Sequence, residues 1–556
     1  MKRLFLSFLL VCMCHTVLAG SNDYDVYLLI GQSNMAGRGT MIDDDSLSTI
    51  HGVYLLNNEG KIEEAKSPLN RYSNIRKELS MQQVGPGAGF GERMHKLTGR
   101  KILLVVNAKG GSSIKEWEPG IEGSLTDATL DRAVQCLKYG RFKGILWHQG
   151  ETDADMDSEE YAQRFDKVIT EIRSRLNAAD VPVAIGELGQ WNWRPSVQVN
   201  GFNEKTIDAV LRRTKNAYKV HSDGLKRLIP TDESDPHFGR SAQIELGKRY
   251  AEVLLPHISD VYITAFKDDR RAGISFTYDD GMLCHYTDVA PQLEKRGFRG
   301  TFWIIGANMG KDEPDYPWMN WDQVADLAKR GHEMSNHSWN HPNLPSLDKE
   351  TLMQEIFMCD SALEKATGKR PVTFCYPYNA MNGIVVNAAS ANRVGTRTFQ
   401  DAQGQNVSKC TAESLSAWLK KTIDCGDWSV TMTHGTTYGY DMWNEPELLW
   451  NLYDEVKAEE DKVWVGTFAE ISAYREERLN TSLKIRKTGN TWSIKPVMSL
   501  DERLFNESLT LRINGDFSNK KIVATQGKNA VEVTNRKDHI LINFNPVGGK
   551  IMIEAK

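Results

Sequence analysis

A chain of 556 residues, 25% of them charged and with a formal net charge of -5, is too long for one core, and its length predicts three or four domains of roughly 100–200 residues each. Acids and bases are mixed along it, which gives no sign of a polyanion partner and no ground for a nucleic-acid partner. Beyond the N-terminal residues no run has the uninterrupted apolar length needed to cross a bilayer.

The opening "MKRLFLSFLLVCMCHTVLAG" has a basic start, an apolar run from Leu4 to about Met13, and small or apolar residues at Val17-Leu18-Ala19. It reads as a signal peptide over residues 1–19, so export to the periplasm or the medium is expected. The residues before Cys12 and Cys14, Val11 and Met13, do not suit lipoprotein processing. Cleavage leaves Cys136, Cys284, Cys359, Cys375, Cys410 and Cys425, scattered and without a C-x-x-C pair, which argues against a structural zinc site. Cys410 and Cys425 are placed either to pair across a loop or to remain thiols.

Residues 20–259 alternate short apolar strands with amphipathic helices. "YLLI", "KILLVVNA", "FKGILWH" and "VPVAIGELG" read as buried strands, and "SAQIELGKRYAEVLL" as a helix. The pattern predicts a doubly wound parallel α/β sheet. Gly31 lets the chain turn at the carboxyl end of its first strand, where Ser33 follows, and such strand ends hold the chemistry of α/β sheets. Gly110-Gly111, the Gln149 to Glu151 segment and His237 fall at other strand or helix boundaries of the same domain. A nucleophile, a base, an acid and oxyanion donors are the parts of acyl transfer.

These residues resemble the SGNH-type esterases, most closely carbohydrate esterase family 6 and its sialate O-acetylesterase relatives, through "GQSNMAGRG", "GPGAGFGERM", "KGGSSIKEW", "WHQGE" and "DPHF". The resemblance implies Ser33 as nucleophile, His237 as general base, and an oxyanion site built from the Ser33 and Gly111 N–H groups and the Gln149 side chain, with no cofactor. Many relatives carry Asp three residues before the histidine. Ser234 stands there and Asp235 lies two before, so the acid orienting His237 is open between Asp235 and Glu151, with Glu151 favoured by similar esterases. His148 reads as a packing neighbour and Arg38 as a loop anchor.

Pro256 to Val261 marks a junction, after which "VYITAF" and "AGISFTY" restart the strand signal and strand–helix alternation runs over residues 260–479, with helices such as "WDQVADLAKRG" and "DKETLMQEIFMCDSALEKATG". "TYDDG" puts Asp279 and Asp280 at a strand end, and "SNHSWNH" spaces His337 and His341 by four, a spacing that aligns two imidazoles on a short helical turn. Pro342 limits any such turn. Two histidines with one carboxylate leave coordination positions open, as a catalytic metal site needs.

With "FCYPYN" and "VTMTHG", these motifs look like the polysaccharide deacetylases of carbohydrate esterase family 4, the NodB-type fold, a distorted (β/α) barrel. The resemblance implies Asp280, His337 and His341 as ligands of a divalent metal, zinc first among them. It further implies Asp279 as the base that deprotonates the attacking water, the Tyr378 backbone N–H as an oxyanion donor, and His434 as the acid for the leaving group. Cys375 replaces the arginine that usually pairs with the catalytic aspartate, so Asp279 is expected to be harder to ionise. "DCGDW" matches a further family motif but abuts the last one closely. His285 and His332 read as structural, and Trp428 and Trp443 as cleft-lining or core residues.

Residues 480–556 change to short alternating strands split by Gly and Asn turns, which predicts a small β-sandwich-like module with a spacer role. The combination implies an acetylated polysaccharide substrate, with xylan the best fit because both families include acetyl xylan esterases. The alternatives are sialate O-acetylesterase activity paired with N-deacetylation of amino-sugar glycans, or one domain acting only as a glycan-binding device. Oligomeric state is not legible.

Overall fold

The structure, a computed structural model, describes residues 23–191, 193, 194, 201–311 and 313–556. The expected signal peptide lies outside the described residues. The chain divides into two compact units, the first ending at Ile258 and the second running from Ser259 to Lys556.

The first unit holds β1 (Tyr24–Gly31), β2 (Val53–Leu56), β3 (Ile62–Glu64), β4 (Lys101–Ala108), β5 (Gly140–His148), β6 (Val183–Gly186) and β7 (Ala217–Val220), in the order β3-β2-β4-β1-β5-β6-β7. Only the β2–β3 pairing is antiparallel. After its first residue β1 is buried throughout, which is why it reads as a continuous apolar run and not as an alternating one. The chain crosses from β4 to β5 over β1, so the carboxyl end of β1 lies at the point where strand order reverses, the place where such sheets open a crevice. The helices around the sheet include α1 (Ser33–Ala36), α2 (Gly87–Thr98), α3 (Leu125–Ala133), α4 (Ser158–Arg175) and α5 (Arg240–Ile258). Helix α4 is begun by Asp157, whose carboxylate accepts from the Glu159 and Glu160 N–H groups, and it buries Tyr161, Phe165, Val168, Ile169 and Ile172.

Among its described residues the second unit contains nine short parallel strands, β9 (Ala272–Ser275), β10 (Thr277–Tyr278), β11 (Thr301–Ile304), β12 (Glu333–Asn336), β13 (Thr373–Cys375), β14 (Gly395–Arg397), β15 (Asp401–Ala402), β16 (Trp428–Met432) and β17 (Val463–Val465). They form two sheets, β10-β11-β12-β13-β14 and β15-β16-β9-β17, linked by a parallel bridge from Tyr278 to Thr433. Helices α6 (Trp321–Lys329), α7 (Lys349–Thr367), α8 (Ala412–Cys425), α9 (Glu447–Ala458) and α10 (Phe468–Leu479) alternate with them, and Phe276, Tyr278, Phe302, Ile304, Val324, Leu327, Leu363 and Tyr453 share one core. Trp443 belongs to that core and Trp428 to a neighbouring one, so both are packing residues. Cys136, Cys284, Cys359, Cys375 and Cys410 are free thiols.

The segment expected to restart the alternating strands does something else. Its β8 (Val261–Ile263) pairs antiparallel with Leu511–Ile513 of β20 (Leu509–Asn514) and joins a four-stranded sheet with β23 (Val533–Asn535) and β24 (His539–Phe544). A second, five-stranded sheet is made of β18 (Thr481–Thr488), β19 (Thr491–Met498), β25 (Ile551–Ala555), β21 (Ile522–Gln526) and β22 (Asn529–Val531). Val261, Ile263 and Tyr474 of α10 share a core with Trp492, Ile494, Leu511 and Ile553. The β module is thus closed by residues that precede and follow the barrel, which composition alone does not disclose.

At the end of α10 the Glu477 side chain is fully buried; its Oε1 accepts the Glu507 N–H at 2.8 Å, while Oε2 has no hydrogen-bond partner among the described residues. Burial, with repulsion from Glu507, pushes its carboxyl up to about 7. A carboxyl whose folded value is raised adds stability below its unfolded value of about 4.3 and loses it as pH rises toward the folded value. Glu477→Gln is therefore expected to flatten the fall in melting temperature between pH 5 and pH 8, where about 2–4 °C corresponds to each kcal/mol in a domain of this size. An unchanged pH slope would show that Glu477 is ionised in the folded protein.

Candidate functional site

Two polar clusters stand at carboxyl ends of parallel strands, one in each unit. In the first, Gly31 ends β1 with φ of 137°, and a Cβ there would lie 2.0 Å from the His148 carbonyl oxygen, so only glycine fits. The Gln32 N–H donates to that carbonyl at 2.8 Å, and the chain turns directly into α1 with Ser33 as its first residue. His237, in the loop before α5, places Nε2 2.9 Å from Ser33 Oγ. Its Nδ1 lies 2.6 Å from Asp235 Oδ1, which also accepts the His237 backbone N–H at 3.2 Å. Burial lowers the imidazole's proton affinity and Asp235 opposes the fall. A neutral imidazole bridging a serine and a carboxylate can take the serine proton and return it to a leaving group.

Glu151, favoured from sequence, is not the partner of His237. It is buried with Oε1 2.6 Å from the Asn34 Nδ2 that donates to it. Two residues' separation lets the Asp235 carboxylate curl back on its own loop. Gln149 also departs from expectation. Its Nε2 donates to Ser112 O at 3.0 Å and to Asp153 Oδ2 at 2.5 Å, and its Oε1 accepts from Tyr161 at 2.7 Å, so the amide is spent on holding the loop. Gly111 has φ of 70°, and the adjacent Gly110 lies against Arg38, whose Nη1 donates to the Gly37 and Met81 carbonyls. Arg38 anchors the loop, as expected.

In the second unit Asp279 and Asp280 follow β10, and His337 and His341 follow β12. One ligand atom each of Asp280, His337 and His341 lies within 4.8 Å of the others. Asp280 Oδ1 is 3.6 Å from His337 Nε2 and 3.9 Å from His341 Nε2, and the two imidazole nitrogens are 3.2 Å apart. No helical turn brings the histidines together. Ser338 and His341 take φ of 65° and 56°, so a loop with two left-handed residues does it, consistent with Pro342 excluding helical backbone at His341. His337 Nδ1 donates to the Cys375 carbonyl at 2.9 Å, which leaves Nε2 as the lone-pair nitrogen facing Asp280. Burial drives the His337 imidazole down to about 3 and raises the Asp280 carboxyl, whose buried Oδ1 has no hydrogen-bond partner among the described residues. Neutral nitrogens around an orphaned carboxylate oxygen are a donor set that fits a divalent cation. Asp279, His337 and Cys375 also cluster, but Asp279 is otherwise engaged and burial holds the thiol protonated.

What engages Asp279 corrects a second expectation. Arg397, at the end of β14 and fully buried, donates Nη1 to Oδ1 at 2.6 Å and Nη2 to Oδ2 at 2.5 Å. Burial alone would raise the Asp279 carboxyl, but the Arg397 charge and hydrogen bonds together hold it well below the usual carboxylate range. The arginine absent at Cys375 is supplied from the next strand. A charged residue inside "VGTRTF" was the only sequence signal for it. His434 follows β16, and its buried Nδ1 has no hydrogen-bond partner among the described residues. Tyr378 takes φ of 57° and sets its ring edge-on to His341 at 4.6 Å. His285 Nε2 donates to the His434 carbonyl at 2.6 Å and His332 bonds Glu294, so both are structural. "DCGDW" lies at the amino end of β16, at the opposite end of that strand from His434.

Residues 23–256 match the family model described as carbohydrate esterase, sialic acid-specific acetylesterase, and residues 267–397 match that described as polysaccharide deacetylase. An Arabidopsis thaliana protein named as a probable carbohydrate esterase is 30% identical over 253 residues, which cover 41% of this chain and 90% of that protein. A solved structure of an Arabidopsis thaliana protein, 26% identical, aligns over 43% of this chain and 100% of its own with a TM-score of 0.37. A chitooligosaccharide deacetylase of Rhizobium leguminosarum bv. trifolii is 32% identical over 133 residues, 24% of this chain and 57% of that protein, so the chain spans little more than half of that relative. The chain belongs, through its first unit, to the sialic acid-specific acetylesterase family of carbohydrate esterases, and the enzyme carries a polysaccharide deacetylase domain behind it.

Proposed function

We propose that this enzyme, exported by the leader at residues 1–19, strips acetyl groups from one decorated plant polysaccharide, acetylated xylan, at two sites of different chemistry. The observation that carries the reading is the pair of hydrolytic arrangements on one chain, Ser33–His237–Asp235 and Asp279–Arg397 beside Asp280, His337 and His341. In the first, His237 takes the Ser33 proton as Oγ attacks the acetyl carbonyl. The Ser33 and Gly111 N–H groups receive the oxyanion, and His237 then passes its proton to the departing sugar oxygen. Water hydrolyses the acyl-serine by the same proton path reversed.

In the second, Asp280, His337 and His341 would hold a divalent cation, zinc by the composition of the donor set, which when bound polarises the acetyl carbonyl and acidifies water. Asp279, held charged by Arg397, accepts a proton from the attacking water, the Tyr378 N–H faces the oxyanion, and His434 protonates the leaving atom. The name of the rhizobial relative favours a second reading for this centre, N-deacetylation of amino-sugar oligomers.

The test is acetate release from acetylated xylan by the wild-type and Ser33→Ala proteins, each before and after chelation and zinc readdition. Each treatment alone is expected to remove part of the release and the two together all of it. If Ser33→Ala alone abolishes release with fold and metal content intact, the second centre is no xylan deacetylase, and release from N-acetylglucosamine oligomers decides for the second reading.

A further inference from the structure

Directly after the nucleophile stands Asn34, fully buried and bonded on both sides. Its Nδ2 donates to Glu151 Oε1 at 2.6 Å and to the Pro236 carbonyl at 3.1 Å; its Oδ1 accepts the Phe238 N–H at 3.1 Å and Gln243 Nε2 at 3.0 Å. Pro236 and Phe238 are the two neighbours of His237. One amide next to Ser33 therefore grips the backbone on either side of the residue that must meet Ser33 Oγ.

The orientation of that amide is decided by what surrounds it. Phe238 N–H can only donate and the Pro236 carbonyl can only accept. Glu151 adds a second acceptor, the stronger one when ionised, on the Nδ2 side. A flipped amide would set Nδ2 against the Phe238 N–H and Oδ1 against two acceptor oxygens. Glu151 itself comes from the loop after β5; Asn34 is the side chain that donates to its carboxyl, beside its own backbone N–H, and Oε2 is buried without a hydrogen-bond partner among the described residues. The nearby His148 is fully buried, with Nδ1 against Tyr250, whose hydroxyl donates to Trp147 O. His148 thus carries its proton on Nδ1 and turns a bare Nε2 toward Glu151 at 3.7 Å, beyond bonding range. Asn34 is therefore the side chain that the carboxyl holds.

We propose that Glu151 is a positioning residue for the serine centre, acting through Asn34 to fix the distance between Ser33 and His237. The idea rests on the reading of Ser33 and His237 as nucleophile and base. Loss of the Glu151 acceptor frees the Asn34 amide, and the His237 loop shifts by a fraction of an ångström while the acetyl-binding surface stays. A displacement on the order of 1 Å at a reacting pair costs roughly 100-fold in rate.

The test uses the full chain with Asp280→Ala in every protein, so that only the serine centre turns over 4-nitrophenyl acetate. Glu151→Ala is expected to lower kcat roughly 10- to 100-fold with KM within about twofold. Glu151→Gln, whose amide oxygen still accepts from Asn34, should recover most of that loss. Asn34→Ala should lose at least as much as Glu151→Ala, and the double variant no more than Asn34→Ala alone. Additive losses, a Glu151→Gln variant as slow as Glu151→Ala, or a loss confined to KM would each overturn the proposal. If Glu151→Ala fails to fold, the Glu151→Gln and Asn34→Ala arms decide it, since a retained Glu151→Gln rate beside a collapsed Asn34→Ala kcat is the pattern required. Ser33→Ala is the reference: activity surviving it would refute the nucleophile assignment, whereas loss there with Glu151→Ala unaffected refutes only the clamp.

Discussion

Replacing Asp235 by asparagine is expected to slow the serine centre roughly 10,000-fold in kcat, the loss found when the acid of a serine triad is neutralised. The expectation follows from contact. Asp235 Oδ1 lies 2.6 Å from His237 Nδ1, and among the described residues it is the carboxylate that touches that ring. Neutralising it removes the stabilisation of the imidazolium formed as Ser33 Oγ attacks, and an amide nitrogen turned to Nδ1 would favour the tautomer whose Nε2 cannot accept the serine proton. Stopped turnover of 4-nitrophenyl acetate in the Asp280→Ala background measures it, with circular dichroism to verify the fold. A drop of less than tenfold, together with a collapse in Glu151→Gln, would return the acid's role to Glu151 and dissolve the clamp as well.

That contrast shows where sequence reading ends. Strands β1, β4, β5 and β6 were legible because parallel strands buried on both faces are continuous apolar runs, and helices α5, α6 and α7 because one face of each is apolar. The members of both centres were legible as motifs, since each lies within a few residues of a strand end. What was not legible is partnership. Asp235 and Glu151 are both acids near the right loop, and only three-dimensional placement distinguishes a carboxylate on His237 from one on Asn34. Gln149 has the residue type for an oxyanion donor, yet Asp153, four residues on, captures its amide. Val261–Ile263 reads as a strand but carries no mark of the distant β20 that it pairs with. The left-handed residues Ser338 and His341 replace a helical turn that the spacing of two histidines suggested, because four-residue spacing constrains separation and not backbone path.

Arg397 was the least legible of all, 118 residues from the aspartate it holds, and its removal is expected to be the most damaging single change at the second centre. Arg397→Met keeps much of the volume but leaves the Asp279 carboxyl buried without a cation. Breaking one side of a buried ion pair typically costs about 3–5 kcal/mol, and a carboxyl so stranded becomes neutral and cannot accept a proton. Metal-dependent release of acetate, measured in a Ser33→Ala background, should fall roughly 100- to 10,000-fold, the span of a lost general base. Bound metal, by elemental analysis, should be unchanged, because Asp280, His337 and His341 make no hydrogen bond with Arg397 among the described contacts. A parallel loss of metal would instead make Arg397 a scaffold for the ligands. Arg397→Lys offers the weaker variant should the methionine protein not fold: one ammonium cannot reproduce two parallel N–H donors, so an intermediate loss is expected. The sharper arm is restoration. Cys375 ends the strand beside Arg397, in register with it, and its thiol feels both the Arg397 and the Asp279 charge. Cys375→Arg added to Arg397→Met returns the guanidinium from the neighbouring strand and should recover at least tenfold of the lost rate. If the double variant is as slow as the single one, a cation near Asp279 is not sufficient, and the bidentate approach from β14 is itself the requirement.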